Sequence, residues 1–517
     1  MGVPLLLLLA TGHLDLLAFA AFGGFTSLYA RNEPYRLKAK LLAVTAVTLV
    51  LAVAAGAAVA ALSDSVVASS LVVALVAGLT KLVSDAVRTG PPAGLMPTFA
   101  CAVCAELPLQ PRDIGTAVVV AAAAAAWSWL VCMAGWTVRP HGPERVAVAR
   151  ALEAAAARSA SVGTDAQTRA RHVAAVAIQR AWQAVGAGGR SDRSARSDRR
   201  RQQLEALVAH AETAMRDARL ASDAGFGPPA GAAEELRELA ARLRRPVGIP
   251  DVTLTRDEAD EVAGLELLRQ EAPRLRSAWP RLNPSAPYVP LAIRVAVAAA
   301  AAGVLAHVAG LGHTSWAAVS AVAVLQSVNL TTTVNRGIQR ALGTATGVAL
   351  GVATLAISPS PAVAVVLVIV FQVLAELTVM LNYAMALVFA TPLALLLAHI
   401  GAQTSTTVLV RDRMLDTLLG VVVALAAALL IPNRRLAAVV RHSRSALEAS
   451  LAQTHAIPDD APPAERAEAA RQTVTRIYAL RESYDAAIGE PWPEDLPAEE
   501  IVRLESDGHA ELARLTR

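Results

Sequence analysis

Residues 38–88 read KAKLLAVTAVTLVLAVAAGAAVAALSDSVVASSLVVALVAGLTKLVSDAVR, and this stretch decides the fold class. Two apolar runs, 41–62 and 66–87, are broken only by Ser63-Asp64-Ser65 and bounded by Lys38, Lys40 and Arg88. Each has roughly the twenty residues that a helix needs to cross a hydrocarbon core about 30 Å thick. The pattern predicts a helical hairpin through a membrane.

The same window, moved outward, predicts further spans at 3–11, 14–30, 93–109 and 114–137 in a first half. It predicts 290–309, 314–330, 337–357, 361–380, 382–400 and 412–431 in a second. Breaks fall at Pro91-Pro92, from Pro108 to Pro111, at Ser358-Pro359-Ser360-Pro361 and at Pro432-Asn433. Charged residues make up 17% of the chain and collect in 139–287 and 432–517; a soluble domain carries about 25%. The chain therefore divides into 1–138, a membrane half; 139–287, a soluble helical domain; 288–431, a second membrane half; and 432–517, a helical tail. The expected fold is all-α and polytopic. Ala and Val dominate the apolar mass, and small side chains let membrane helices approach closely. No basic n-region precedes the apolar start, so no cleavable signal peptide is expected.

Orientation follows from Lys and Arg in short loops. With six crossings per half, Arg31, Arg36, Lys38, Lys40, Arg88, Arg139, Arg145, Arg336, Arg340, Arg434, Arg435 and Arg441 share one side. Arg112, Arg411 and Arg413 fall on the other. The rich side is expected to be cytoplasmic, placing both soluble segments there and the protein in the inner (plasma) membrane.

Within 139–287, Leu204, Leu207, Val208, Ala211, Met215 and Ala218 form a stripe with helical period. Thr255 to Glu258 fits a capping box. Gly225 to Pro229 and Pro246 to Pro250 read as linkers. RSDRSARSDRRR (190–201) reads as a solvated loop, with contact to anionic lipid as the alternative. In the tail, Leu436, Val440, Leu447 and Leu451 share one helical face, expected to pack on the central segment.

An internal repeat emerges at an offset of 300. Gly12-His13 aligns with Gly312-His313, and Arg36 and Lys40 align with Arg336 and Arg340. Arg112-Asp113 before the sixth span parallels Arg411 to Asp416 before the twelfth. Two halves of like orientation make a parallel repeat, as in some transporters. The first helix is the exception. It has eleven residues ahead of Gly12-His13, too few to cross, so either the start lies upstream or the chain is a shortened relative.

Residues 316–351 read WAAVSAVAVLQSVNLTTTVNRGIQRALGTATGVALG. They are followed by AELTVMLNYAMALVFATPLALLL (375–397) and RDRMLDTLLGVVVALAAALLIP (411–432). The RGxQRxxGTxxG core, the NYAxAxxFxTP segment and the final RxxDTxxG resemble the FUSC family, the fusaric-acid-resistance and aromatic-acid-exporter-like membrane proteins. FGGFTSLYARNEPYR (22–36) and PPAGLMPTFA (91–100) resemble its N-terminal half more weakly. The resemblance implies a twelve-span, two-half membrane protein of a kind often assigned to efflux of small, frequently aromatic, organic acids. It says little about 139–287.

No P-loop or HExxH is present, and no catalytic triad can be assembled, so neither an enzyme nor a bound cofactor or metal is expected. Net charge is +4, too small to point to nucleic acid. Cys101 and Cys104 form a CxxC, but free cysteines in apolar segments pack as small hydrophobes. Charged groups inside spans are costly and usually face a cavity or a partner. Lys81 and Asp85, four residues apart, read as a mutual ion pair. Glu106 reads as a snorkelling acid at a membrane face. Glu376, with no basic neighbour in sequence, is the leading proton-carrier candidate, joined by His399 and Asp416; His307, Gln326 and Asn329 complete the polar set. Arg336 and Arg340, one turn apart at the start of the ninth span, are candidates for carboxylate capture, with topology anchoring as the alternative. Arg36 and Lys40 would form a second arm. Gly343, Gly347 and Gly351 mark a tight helix contact. The expected function is a secondary exporter of small organic acids, aromatic ones included, or of toxic compounds, with a proton as the coupling ion. The second reading is a membrane scaffold whose soluble helices bind a partner. Lipid surrounds the spans under either reading, and a homo-oligomer is left open.

Overall fold

The computed structural model describes residues 2–164, 166–187, 195–223, 231–245, 248–252, 288–326, 330–357, 360–379, 381–402, 406–431, 435–458, 460–487 and 498–515. The readings at 255–258, 225–229, 190–194 and Asn329, and the His399 side chain, lie outside the described residues. Every regular element among the described residues is helical.

The first membrane half comprises α1 (Gly2–Ala10), α2 (Leu17–Gly24), α3 (Tyr35–Leu62), α4 (Val66–Val87), α5 (Leu95–Cys104) and α6 (Asp113–Val138). The second comprises α11 (Val289–Val308), α12 (Thr314–Val324), α13 (Leu330–Ala356), α14 (Pro361–Thr378), α15 (Tyr383–Ala402) and α16 (Thr406–Leu430). Local chemistry sets several ends. Ser65 caps α4 through its hydroxyl, which accepts from the Ala68 N–H at 3.3 Å, satisfying a donor with no intrahelical partner. Pro361 opens α14, at the helix position where its missing N–H costs nothing.

The two halves share one packing order. In the first, α2 packs on α1 and α6, α3 on α5 and α6, and α5 on α4. In the second, α12 packs on α11 and α16, α13 on α15 and α16, and α15 on α14. The seam between halves is reciprocal as well: α4 meets α11 while α14 meets α1, and α5 meets α12 while α2 meets α15. The α4–α11 seam is close because Gly78 lies against Ala292 and Ala296, and Gly303 against Ser70. The α14–α1 seam is small because α1 has only nine residues.

The register of the repeat needs one correction. Gly12 and Gly310 both close their helices with positive φ (78° and 71°). Each is followed by an N–H that bonds five residues back, His13 to Leu8 and Leu311 to Ala306, both at 3.0 Å. Gly12 thus corresponds to Gly310. The second half has two more residues between this glycine and its next helical segment, and the 300 offset resumes by His13 and His313, which precede those segments with similar dihedrals.

Five helices among the described residues are long and apolar enough to cross a membrane: α3, α4, α6, α11 and most of α16. The expected spans at 14–30, 93–109 and 314–330 are shorter than read. Residues 14–28 form α2 flanked by 3-10 turns, α5 has ten residues and α12 eleven. The reason is burial. Every residue from Ser315 to Val324 is buried, and short helices with irregular ends are tolerated at membrane depth only where protein surrounds them.

The soluble segments form two helical units. α7 (Gly142–Ala160), α8 (Gln167–Ala187), α9 (Ala195–Asp223) and α10 (Ala232–Arg244) close around Leu152, Ile178, Leu204, Leu207, Val208 and Leu236. The stripe read from 204–218 supplies that core. Residues 195–201, expected as loop, are the first turns of α9. The tail forms α17 (Arg435–His455), α18 (Pro463–Ala487) and α19 (Ala498–Leu515). Its stripe packs on Ile477, Leu480 and Ile501 of the tail itself, not on the central segment as expected. Three amphipathic helices satisfy one another's apolar faces.

Candidate transport site

The α12 N-terminus is held by two carboxylates. Glu106, from the loop between α5 and α6, accepts from the Ser315 N–H at 3.0 Å and the Ser315 hydroxyl at 2.6 Å. Asp412 of α16 accepts from the Gly312 N–H at 3.0 Å and lies 3.3 Å from His313 Nδ1. Free N–H groups and the dipole at a helix N-terminus favour anions. One of these carboxylates comes from the first half, so Glu106 joins the two halves.

Deeper, Trp316 is sandwiched. The His313 ring stacks on it with centroids 4.7 Å apart and planes at 21°. The Arg413 guanidinium lies 4.6 Å from its centroid. Arg413 is within Coulombic reach of Asp416, Arg340, Tyr383 and Glu106. Arg340 donates to the Tyr383 hydroxyl at 2.9 Å and to the Ser320 hydroxyl at 3.1 Å. Arg336 completes the series, 5.9 Å over the Tyr383 ring.

These side chains form a polar file through the second half. Glu106 and Arg411 are exposed at one end, Arg336 and Tyr383 half-buried at the other, and Asp412, Arg413, Asp416 and Arg340 buried between. Both Asp416 oxygens, Arg413 Nε and Nη1, Arg340 Nε and the Thr344 and Thr391 hydroxyls have no hydrogen-bond partner among the described residues. Buried polar atoms are nearly always paired, and no described residue pairs these. The first half holds an aromatic cluster instead. Phe22, Phe25 and Phe99 form it, with ring centroids 5.7 to 6.3 Å apart.

Residues 299–427 match the family described as fusaric acid resistance protein-like. This stretch is similar to that family's domain. Over 530 residues the chain is also 25% identical to the uncharacterized membrane protein YvaC of Bacillus subtilis (strain 168), covering 95% of this chain and 79% of the relative. No solved structure matches. The matched stretch holds Trp316, Arg340, Tyr383, Arg413 and Asp416, whereas Glu106 reaches it from outside. The resemblance seen in the motifs is thereby borne out, and the chain is a membrane protein.

The structure distributes the sequence candidates unevenly. Arg340 and Asp416 lie in the file, and Arg336 at its end. The two arginines do not stand at a helix N-terminus as expected: α13 already runs from Leu330, so Arg336 and Arg340 lie two to three turns inside, beyond the first-turn range of the dipole. Arg36 and Lys40 are exposed in the opening turns of α3, and no contact among the described residues makes them a second arm. Glu376 is not unpaired. Arg31, from the first half, reaches its carboxylate at 3.4 Å and its carbonyl at 3.3 Å, and Gln372 donates to it at 2.8 Å. That pairing favours a structural role across the seam.

Lys81 and Asp85 form the expected ion pair at 3.1 Å, and His307 is exposed at the end of α11. Glu106 caps α12 and is no mere snorkelling acid. The three glycines of α13 face α15: a Cβ at Gly343 would meet Ala384 O at 2.6 Å, and one at Gly347 would meet Thr391 Cβ at 2.7 Å. A Cβ at Gly351 would meet Leu395 Cδ1 at 2.6 Å. Cys101 and Cys104 are buried and free.

Sequence reading missed His313, Trp316, Tyr383, Asp412 and Arg413 as site residues. A signal existed for Arg413, one of three basic residues on the sparse side of the topology.

Proposed function

We propose that this protein is a secondary transporter of small organic anions, with its site in the polar file of the second half. The observation that carries the reading is the buried set Arg340, Arg413 and Asp416, in which Arg340 Nε, Arg413 Nε and Nη1 and both Asp416 oxygens have no hydrogen-bond partner among the described residues. Two guanidiniums suit a planar carboxylate. The Trp316 face offers an aromatic ring a surface once His313 or Arg413 moves. Asp416 and the carboxylate of the solute compete for the Arg413 guanidinium. Protonation of Asp416 removes that competition, so anion binding tightens as pH falls.

The short central helices support the same place. α2 and α12 occupy corresponding positions in the two halves, and paired short segments in a repeat point to a transporter's binding site. The Lys and Arg distribution supports an inner-membrane location with the soluble helices on the cytoplasmic side. Export fits the family description of residues 299–427. The test is accumulation of radiolabelled aromatic carboxylates in cells with and without the gene, with the proton gradient intact or collapsed. Lower accumulation with the gene, lost on collapse, supports the reading; equal accumulation in all arms contradicts it.

A further inference from the structure

Where the membrane bundle meets the soluble helices, a cavity of about 460 Å³ opens between the start of α3, the end of α6 and the start of α7. Arg31, Lys38, Arg139 and Arg150 line it, with Tyr35 and Asn32, and no carboxylate does. Arg31 is shared with Glu376. Among the described residues, Lys38, Arg139 and Arg150 have no acidic side chain at ion-pair distance; Lys38 rests 5.8 Å over the Tyr35 ring. Four positive groups around one cavity repel one another unless an anion sits among them.

The cavity lies at the end of α6, where that apolar helix gives way to Arg139. It begins where α6, whose Leu130 and Val131 are exposed, leaves the membrane, beside exposed Trp136, and Trp is enriched at that boundary. Its wall includes Val138, 80% exposed, so the pocket is continuous with a lipid-facing surface. We infer that this pocket binds the phosphate of an anionic glycerophospholipid, with the acyl chains lying along α6 and the headgroup pinning α7 to the membrane bundle. Arg139 and Arg150 are the phosphate ligands, and Lys38 supplies further charge. The site is separate from the polar file of the second half and stands or falls without it.

The test uses the purified full chain, delipidated in detergent, with its thermal stability followed as lipid is titrated. Phosphatidylglycerol is compared with phosphatidylcholine, and inorganic phosphate and sn-glycerol 3-phosphate are the soluble arms. Stabilisation by phosphatidylglycerol alone is expected. Each basic side chain near an anionic lipid contributes about fivefold in affinity, so Arg139→Gln with Arg150→Gln weakens the response about 25-fold. The single Arg150→Gln, at an exposed position of α7, weakens it about fivefold and guards against misfolding of the double variant. Arg237→Gln with Arg242→Gln, an equal charge loss on α10, leaves it unchanged. Equal stabilisation by either soluble phosphate, no preference over phosphatidylcholine, or equal loss in the α10 variant would each overturn the inference.

Discussion

Arg413 holds its guanidinium 4.6 Å over the Trp316 ring, while both residues are buried in the membrane half that carries the family match. A cation over an indole is worth about 2 kcal/mol or more when desolvated. Trp316→Phe keeps an aromatic face and most of the volume, whereas Trp316→Ala leaves a cavity costing about 3–5 kcal/mol. The expected outcome is that Trp316→Phe stays folded and binds aromatic carboxylates several-fold more weakly, and that Trp316→Ala loses thermal stability first. Binding titrations beside melting curves separate the two effects.

Glu376 serves as a contrast, because its carboxylate is held by Arg31 and Gln372 across the seam between halves. Glu376→Gln is expected to leave the pH dependence of anion binding in place and to lower stability by about 1 kcal/mol or less, the scale of a partly exposed ion pair. A flattened pH profile in that variant would return the proton to Glu376.

The glycine ridge gives a packing test. At Gly347 an added Cβ would lie 2.7 Å from Thr391 Cβ and 2.8 Å from Leu387 O, and overpacking of this kind costs about 1–3 kcal/mol. At Gly115, in the first turn of α6, a Cβ meets nothing within 4 Å. Gly347→Ala should lower the melting temperature in detergent, while Gly115→Ala leaves it unchanged or raises it slightly.

Membrane helices, their breaks and the soluble core stripe were legible in the sequence because hydropathy over twenty residues and period 3.6 are local signals. The short α12 was not: its start at 314 agrees with the reading, but it ends at Val324 because every residue from Ser315 to Val324 is buried in the bundle, which is not a local signal. The Glu376 pairing was hidden for the same reason: Arg31 lies 345 residues away. Arg340 and Asp416 could be picked out as polar groups in apolar runs. Nothing local indicated that Arg413 would turn inward onto Trp316.

Glu144, in the first turn of α7, is buried, and its Oε2 has no hydrogen-bond partner among the described residues. Burial pushes its carboxyl up from 4.5 to about 7, against a smaller pull from its own backbone N–H. Because the unfolded chain releases this proton first, stability falls as pH rises from about 4.5 to about 7 and is level above that. The full effect is at most roughly 3 kcal/mol. Glu144→Gln should therefore stabilise the protein at pH 8 and have little effect at pH 4. A variant whose stability tracks the parent at both values would show that Glu144 is charged at no cost.

The most direct measurement is the affinity of the purified protein for an aromatic carboxylate as a function of pH, in the parent, Asp416→Asn and Arg413→Lys. In the parent, affinity should rise as pH falls, since protonated Asp416 no longer competes for Arg413. Asp416→Asn should bind tightly with that pH dependence gone. Arg413→Lys should keep the charge but lose about tenfold in affinity, the planar fork being absent. Parent-like affinity and pH dependence in both variants would contradict the placement of the transport site in the polar file of the second half.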